Sequence, residues 1–320
     1  MNPSATRYSK DPRMYDTHVE LDLPGLVSPV KLRVDPINRK STDNVMPIFW
    51  EEQAFTWQFT SPYVRQALQE SKGETDFLDL GCGSGVFSLL MLKQFGSNSK
   101  VIAVDKNPRA VRTAIYNTTL NYDNEVCLKE ALGISGPGGI DFRVAEFPYV
   151  NIPKESVKVI GIYPPYHIYP PLLDPFQKSL PLHARGGNFG QTEFRDQLRS
   201  TNCYLANKGI LFFNQMCLGD EQGPAYLHYI HDLFGDASLT YTNVLPRIRT
   251  SDFLNGVYEG MSRKWIDEVS NVFPYLYYTV GILNKDGAYG IKEVPHDIDL
   301  RGRTWSDRVE LHREITKHAL

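Results

Sequence analysis

The sequence lacks the features that would assign it to a special class of proteins. Its 320 residues contain four scattered cysteines and no Cys-x-x-Cys pair, so neither a disulfide framework nor a cysteine metal site is indicated. No uninterrupted apolar run approaches the roughly 20 residues that a membrane helix needs. The first sixteen residues, MNPSATRYSKDPRMYD, have no apolar core and do not resemble a signal peptide. We expect a cytoplasmic protein with no membrane association and no bound metal.

Charge is also low. The formal net charge is −3 and the sequence pI is about 6.3, which gives no general attraction to nucleic acid or to anionic membranes. A hydrophobic content of 42% with 22% charged residues is ordinary for a globular protein. Arg301 and Arg303 are surrounded by acidic residues, so the C-terminal segment is predicted to be a solvated tail. We expect no nucleic-acid partner.

A regular alternation of strands and helices begins near residue 76. Seven short apolar segments are typical of strands, namely FLDL, KVIAVD, IDFRVAE, VKVIGI, GILFFNQM, SLTYTNVL and LYYTVGIL. Helical patterns lie between most of them. This alternation predicts an α/β fold with a mostly parallel, doubly wound, Rossmann-like sheet of seven strands and helices on both faces.

The segments outside this alternation suggest the domain organisation. Residues 1–72 are predicted to be an N-terminal extension, a hairpin followed by an aromatic-rich helical segment that covers the substrate. Residues 73–284 form the main domain, with a helical insertion at 251–274 that we expect to act as a second cover. Residues 285–320 are predicted to form a polar C-terminal tail that ends in a helix. The insertion is too long for a plain connection between two strands.

A glycine-rich loop, DLGCGSG, joins the first predicted strand to its helix. Gly81, Gly83 and Gly85 allow the backbone to turn sharply and to approach a ligand closely. The spacing differs from the GxGxxG pattern of dinucleotide-binding loops. Asp79 precedes the loop, where a carboxylate suits a cationic amine, although it could instead cap the turn. Asp105 ends the second strand, where a carboxylate can accept both ribose hydroxyls.

The combination of DLGCGSGVFSL with VIAVDKNPRAV resembles the class I S-adenosylmethionine-dependent methyltransferases. The resemblance implies that the three loop glycines pass under the amino-acid part of that cofactor. It also implies that Asp105, followed by Lys106, binds the ribose, and that Glu146, after the third strand, lies near the adenine. S-adenosylmethionine is therefore the expected cofactor, with Asp79 as a further candidate for contact with it.

The fourth predicted strand ends at Tyr163-Pro164-Pro165-Tyr166, because proline cannot donate to a sheet ladder. This position resembles the (Asn/Asp)-Pro-Pro-(Tyr/Phe) motif of one branch of these enzymes, which methylate adenine N6, the glutamine of release factors or small-molecule nitrogens. Segments 185–190 and 204–209 match that branch as well. The resemblance covers roughly residues 75–215.

Tyr163 departs from this branch, in which the Asn or Asp oxygen and the carbonyl of Pro164 accept hydrogen bonds from the target NH2. The carbonyl remains, but a phenol has different reach, so a more nucleophilic amine or guanidine is favoured as the acceptor. Tyr163 or His167 could take a proton. The rings of Tyr163, Tyr166 and Tyr169 could hold a cation.

The aromatic-rich segment FWEEQAFTWQF could complete a pocket for such a cation. It offers Trp50, Trp57 and the neighbouring carboxylates Glu51 and Glu52. Aromatic residues in such a segment can equally belong to the core.

The sequence thus predicts a methyltransferase that transfers a methyl group to a small-molecule nitrogen. Two alternatives remain open. One is a macromolecular enzyme acting on RNA adenine or protein glutamine, which the missing Asn or Asp and the lack of a basic module disfavour. The other is a non-catalytic cofactor-binding subunit with an active site that has decayed at Tyr163, which the intact glycine loop disfavours.

Overall fold

The computed structural model describes residues 16–39, 41–96, 98–122, 140–146, 150–170, 180–235, 237–259, 263–286 and 288–317. Its strands are β1 (His18–Leu21), β2 (Val30–Arg33), β3 (Thr75–Leu80), β4 (Val101–Asp105), β5 (Ile140–Val144), β6 (Val157–Ile162), β7 (Leu205–Asp220), β8 (Gly223–Pro224), β9 (Ser238–Arg249), β10 (Tyr275–Asn284) and β11 (Gly290–Glu293). Its α-helices are α1 (Phe55–Glu70), α2 (Val86–Phe95), α3 (Pro108–Asn121), α4 (Thr192–Thr201), α5 (Leu227–Phe234), α6 (Thr250–Val257), α7 (Arg263–Val272) and α8 (Trp305–Lys317).

The main sheet confirms the predicted fold class. Its strands lie in the order β11-β9-β10-β7-β6-β3-β4-β5, and β8 pairs with β7 at one end. Strands β3 to β7 run parallel to one another, whereas β10 runs antiparallel to both β7 and β9. All seven strands that the sequence predicts are present. The sheet is mixed because β10 lies between β7 and β9 and runs in the opposite direction to both.

The order of the strands fixes where a ligand can bind. From β3 the chain adds β4 and β5 on one side and then crosses to place β6 on the other side. The loops after β3 and β6 therefore diverge at the carboxyl edge of the sheet and leave a crevice between them. The glycine loop follows β3 and the two prolines follow β6, so both motifs reach this crevice.

The N-terminal extension packs on helices and on the sheet, and its residues 44–53 also supply part of a cavity wall. Strands β1 and β2 form the predicted hairpin, and the Arg33 amide donates to the Asn117 side chain of α3 at 2.7 Å. Helix α1 lies against β6 and β7, with Phe55 and Trp57 buried in the core. Trp57 is therefore a core residue and not part of a substrate cover. Phe55 and Trp57 are buried because α1 supplies the apolar layer on that face of the sheet.

The C-terminal segment is not the solvated tail that the sequence predicts. Helix α8 packs against α6, and Arg308, Leu311 and His312 are buried in the protein. Arg301 lies over the Trp50 ring, 3.3 Å from its centroid. Arg303 and Arg308 of this segment lie near acidic partners within the fold, which composition alone does not reveal.

The insertion forms α6 and α7, which pack against each other, while α6 also contacts α8. Residues 260–262 at its centre lie outside the described residues. Within the described part of the chain, no helix combines the length and the apolar composition that a membrane span requires.

Candidate functional site

A cavity of about 450 Å³ opens at the carboxyl edge of the sheet, a size typical of sites for small molecules. The loops after β3, β4 and β6 form one part of its wall. Residues from the segment before α1, from α4 and from α8 complete it. The strand ends thus meet the C-terminal helix at a single cavity.

Two of the three loop glycines line this cavity. Gly81 and Gly83 both adopt left-handed φ angles, of 75° and 53°, which other residues rarely tolerate. Gly85 is also left-handed, but it lies outside the cavity wall. A Cβ there would come within 2.9 Å of the Ala114 Cβ, so this glycine permits α2 to pack closely on α3.

Asp105 is held at the cavity wall by two backbone amides. Its Oδ2 accepts from Gly83 N at 2.9 Å and its Oδ1 accepts from Asn107 N at 2.8 Å. Burial raises the pKa of this carboxyl, and both amides oppose that shift. Each carboxylate oxygen retains a further lone pair. Lys106 and Glu146 line the same wall, and Lys106 lies 3.6 Å from Glu193 on α4.

Asp79 lies away from the cavity, which differs from the expected cofactor contact. It is fully buried, and its Oδ2 accepts from the Ser88 amide at 3.1 Å and from the Ser88 hydroxyl at 2.6 Å. It thereby satisfies an otherwise unpaired amide in the first turn of α2. Burial raises the pKa of this carboxyl to about 7. These contacts agree with the alternative from the sequence, in which Asp79 caps the turn that leads into α2.

Tyr163 presents its ring to the cavity. The ring stacks on Phe87 with centroids 4.0 Å apart and an interplanar angle of 9°, and it meets Phe212 edge-on. Its hydroxyl is buried and has no hydrogen-bond partner among the described residues. Burial, together with the negative charges of Asp79 and Glu52, holds the pKa of this phenol well above 10. Such a phenol is a poor proton acceptor.

The two prolines and Tyr166 form the next part of the wall. The Tyr166 hydroxyl donates to Glu52 Oε2 at 3.0 Å and accepts from Arg308 Nη1 at 3.1 Å. Burial and the adjacent Glu52 raise the pKa of this phenol well above 10. Tyr166 is therefore fixed in place by a buried network.

The carboxylate pair that the sequence suggests for a substrate cation binds Arg308 instead. The guanidinium lies 2.8 Å from Glu51 Oε1 and 2.9 Å from Glu52 Oε2. Glu52 lines the cavity and Glu51 does not. Burial raises the pKa of Glu52, which Arg308 opposes.

Three further residues predicted to bind substrate lie outside the cavity wall. The Trp50 indole donates to the carbonyl of Asp299 at 2.8 Å. The Trp57 indole donates to Gln94 at 2.5 Å. Tyr169 is buried in the core beside His167, with ring centroids 6.3 Å apart.

His167 lines the cavity together with His312 of α8. Their Nδ1 atoms lie 2.6 Å apart, and their rings stack with centroids 4.6 Å apart. Burial, with a smaller contribution from His183, lowers the pKa of His167 to about 3. Burial, His167 and Arg308 hold the pKa of His312 well below 6.5. Both rings are neutral near pH 7.

Asn214 lines the cavity and was not predicted from the sequence. Ile162 pairs with Phe213 across β6 and β7, so the next residues along the two strands are Tyr163 and Asn214. The Asn214 amide donates to Thr56 Oγ1 at 2.9 Å, and its Oδ1 has no partner in the described part of the chain. The sequence signal that could have identified Asn214 is its position as a polar residue within the otherwise apolar strand GILFFNQM.

The described residues contain no cluster of three or more His, Cys, Asp or Glu side chains that could hold a metal ion. One side of the cavity carries the glycine loop and Asp105. The other side carries the rings of Tyr163 and Tyr166 and the uncharged side chains of His312 and Asn214.

Comparison with known proteins supports part of the sequence resemblance. Residues 71–131 match the family model of a methyltransferase domain. No curated protein matches the chain. The match supports the methyltransferase resemblance at the level of the domain and does not extend to the (Asn/Asp)-Pro-Pro-(Tyr/Phe) branch.

Solved structures of methyltransferases are similar at low identity. The geranyl diphosphate C-methyltransferase of Streptomyces coelicolor A3(2) is 12% identical, with a TM-score of 0.38 over 71% of this chain and 77% of that one. The phosphoethanolamine N-methyltransferase 2 of Haemonchus contortus is 11% identical, with a TM-score of 0.41 over 72% of this chain and 52% of that one. These similarities are too low to indicate a substrate.

Proposed function

We propose that this protein is an S-adenosylmethionine-dependent methyltransferase that acts on a nitrogen of a small molecule. One observation carries the proposal. A single cavity joins the glycine loop and Asp105 to the Tyr163-Pro164-Pro165-Tyr166 turn. The glycine loop and Asp105 suit the cofactor, and the turn suits the methyl acceptor. The methyltransferase-domain match over residues 71–131 supports the same assignment.

The residues on the cofactor side fit S-adenosylmethionine. The backbone at Gly81 and Gly83 lies open to the cavity without a Cβ in the way. Asp105 offers two carboxylate oxygens that Gly83 and Asn107 already orient, which suits a pair of ribose hydroxyls. Glu146 is exposed at the same wall, and the sequence resemblance assigns it to the adenine. When bound, the cofactor supplies an electrophilic methyl group on a sulfonium.

The acceptor side offers a hydrogen-bond acceptor that suits a nitrogen carrying hydrogen. Asn214 Oδ1 is buried and unpaired within the described residues, and leaving a buried acceptor unpaired costs about 1–3 kcal/mol. An N–H group of the acceptor would satisfy it. Asn214 follows the residue paired with Ile162, so it supplies an amide oxygen beside the position where Tyr163 replaces the Asn or Asp of the similar enzymes.

Enclosure of the cavity favours a small acceptor. Leu311, His312 and Ile315 of α8 form part of its wall, and Tyr166 is fixed by Arg308 from the same helix. Methyl transfer from a sulfonium is a displacement that depends on the position of the acceptor rather than on a strong base.

Calorimetry and a transfer assay test the proposal. We expect S-adenosylmethionine and S-adenosylhomocysteine to bind and NAD not to bind. Radiolabelled S-adenosylmethionine should then transfer its label to members of a panel of small amines, amides, guanidines and N–H heterocycles, and not to tRNA or a release factor. NAD binding without sulfonium binding would refute the cofactor assignment. Labelling of tRNA or protein would favour the macromolecular alternative, and cofactor binding without any transfer would favour the non-catalytic one.

A further inference from the structure

We propose that His312 binds the methyl acceptor through an unprotonated Nε2 and that His167 positions it by fixing its tautomer. This inference rests on the proposed function and specifies the acceptor as an uncharged nitrogen that carries a hydrogen. The side chains of Tyr258, Thr316, His167 and His312 form a buried hydrogen-bonded chain. His312 comes from the C-terminal helix, at the end of the segment that the sequence predicted to be a polar tail.

The chain begins at His167 Nε2, which has two hydroxyl neighbours. The Tyr258 hydroxyl lies 3.3 Å away and the Thr316 hydroxyl lies 3.2 Å away. The Tyr258 hydroxyl donates its hydrogen to the carbonyl of Ile168. The Thr316 hydroxyl donates to the carbonyl of His312 at 2.8 Å. A hydroxyl has one hydrogen, so neither can donate to the imidazole, and Nε2 of His167 must be the donor.

The tautomer of His312 follows from that of His167. A neutral imidazole carries one N–H, so His167 Nδ1 has a lone pair and can only accept. The facing atom, 2.6 Å away, is Nδ1 of His312, which must therefore carry its hydrogen. The remaining nitrogen of His312, Nε2, is left with a lone pair. The ring lines the cavity, and this Nε2 has no partner among the described residues.

The surroundings keep the pair uncharged. Titratable or charged groups from several elements surround the two histidines. Arg308 comes from α8, His183 from the turn at Leu182–Ala184, and Tyr258 from the residue that follows α6. Tyr166, which donates to Glu52, lies beside His312. Burial is the largest cause that lowers the pKa of His312, followed by His167 and Arg308. The Nε2 lone pair is thus available throughout the neutral range.

This environment also restricts the acceptor. An ammonium group has no lone pair until it loses a proton, and a ring with such a low pKa does not remove that proton near pH 7. Nε2 can instead accept a hydrogen bond from a nitrogen that is already neutral, such as an aromatic amine, an amide or an N–H heterocycle. Together with Asn214 Oδ1, it gives the acceptor side two hydrogen-bond acceptors.

NMR of the cofactor-free protein labelled with ¹⁵N-histidine tests the tautomers directly. His167→Gln and His312→Gln assign the signals. We expect His312 to carry hydrogen on Nδ1 and not on Nε2 between about pH 6 and 8, and His167 to carry it on Nε2. Hydrogen on Nε2 of His312, or a charged His312 in this range, would overturn the inference. This result does not depend on cofactor binding or on activity, so it is separable from failure of the proposed function.

A variant tests the positioning role of His167. Replacing both Tyr258 with Phe and Thr316 with Val removes the groups that accept from His167 Nε2. We expect the single tautomer of His312 to become a mixture, while the stacked pair remains. An unchanged tautomer would show that the hydroxyls do not set it. Thr113→Val, in α3, is a control because that hydroxyl donates to the carbonyl of Arg109, far from the pair.

Two small amides test the contact with an acceptor. Acetamide has an N–H group and N,N-dimethylacetamide has none, and both are soluble enough to be used in large excess. We expect acetamide to shift the Nε2 signal of His312 and N,N-dimethylacetamide to leave it nearly unchanged. No shift with acetamide, or equal shifts with both amides, would refute the assignment of Nε2 as an acceptor-binding atom.

Discussion

The Arg308 guanidinium lies 2.9 Å from Glu52 although 256 residues separate them in the chain. It also contacts Glu51 and the rings of Phe49 and Tyr278. Because Glu52 lines the cavity and holds Tyr166, this ion pair connects the C-terminal helix to the turn after β6. The C-terminal helix is thereby part of the site.

Replacing Arg308 with Ala should lower the free energy of unfolding by about 3–5 kcal/mol, because two buried carboxylates would lose their cation. Urea denaturation measures this. The triple variant E51Q/E52Q/R308M should recover most of the loss, since no unpaired buried charge remains. Lys264→Ala is a matched control at an exposed ion pair of α7. A loss below about 1 kcal/mol for Arg308→Ala would mean that the pair contributes little.

Replacing Asp105 with Ala should weaken S-adenosylmethionine binding by about 1–3 kcal/mol, the range for hydrogen bonds to a charged group. Isothermal titration calorimetry measures the change. Asp105→Asn separates charge from shape, because an amide keeps one acceptor oxygen. Asp267→Ala removes an exposed carboxylate of α7 and should leave the affinity unchanged. Equal affinities for the Asp105 variants and the unaltered protein would contradict the assignment.

Tyr163→Phe should retain most activity, because the hydroxyl is buried without a partner among the described residues and the ring provides the stacking on Phe87. Tyr163→Ala should cost about 2–4 kcal/mol of stability and raise the KM for the acceptor. Tyr163→Asn should impair the reaction by removing an aromatic wall. Steady-state kinetics with thermal denaturation distinguish these cases. A folded, cofactor-binding Phe variant that is a hundredfold slower would show that the hydroxyl is needed.

Asp79 should make the protein less stable as the pH rises from about 4 to about 7. The carboxyl keeps its proton in the folded state up to a pKa of about 7 but loses it near 4 when unfolded, so the folded state binds more protons within this window. The slope should approach about 1.4 kcal/mol per pH unit. Asp79→Asn should flatten the decline measured by urea denaturation at several pH values. Parallel curves for the two proteins would contradict this.

Asn214→Leu should lower kcat/KM for the acceptor about tenfold, the effect of losing a hydrogen bond worth about 1.4 kcal/mol. Thr56→Val is the matched control, since it breaks the same Asn214–Thr56 bond while keeping Asn214 Oδ1. If both variants lose activity equally, the bond to Thr56 matters rather than the free oxygen. Cofactor affinity should stay unchanged in both.

The sequence by itself determined the seven strands, the glycine loop and the carboxylate at the end of β4. Strand and helix periodicity is local, and the backbone angles of Gly81 and Gly83 leave few other residues possible. The meeting of the loop with the two prolines also follows from the sequence, because parallel strands bring their carboxyl ends to one edge.

Only the tertiary structure decided which partners the buried polar residues have. Glu51 and Glu52 looked like a site for an external cation, but Arg308, about 256 residues away, occupies that role. His167 meets His312 across 145 residues, and Asn214 lies beside Tyr163 through strand pairing. Asp79 and Trp57 are in the core because of the packing of α1 and α2 on the sheet. The local sequence shows which residues are polar or aromatic. The partner of a buried charge or polar group comes from elements that are distant in the chain, so it depends on the whole fold.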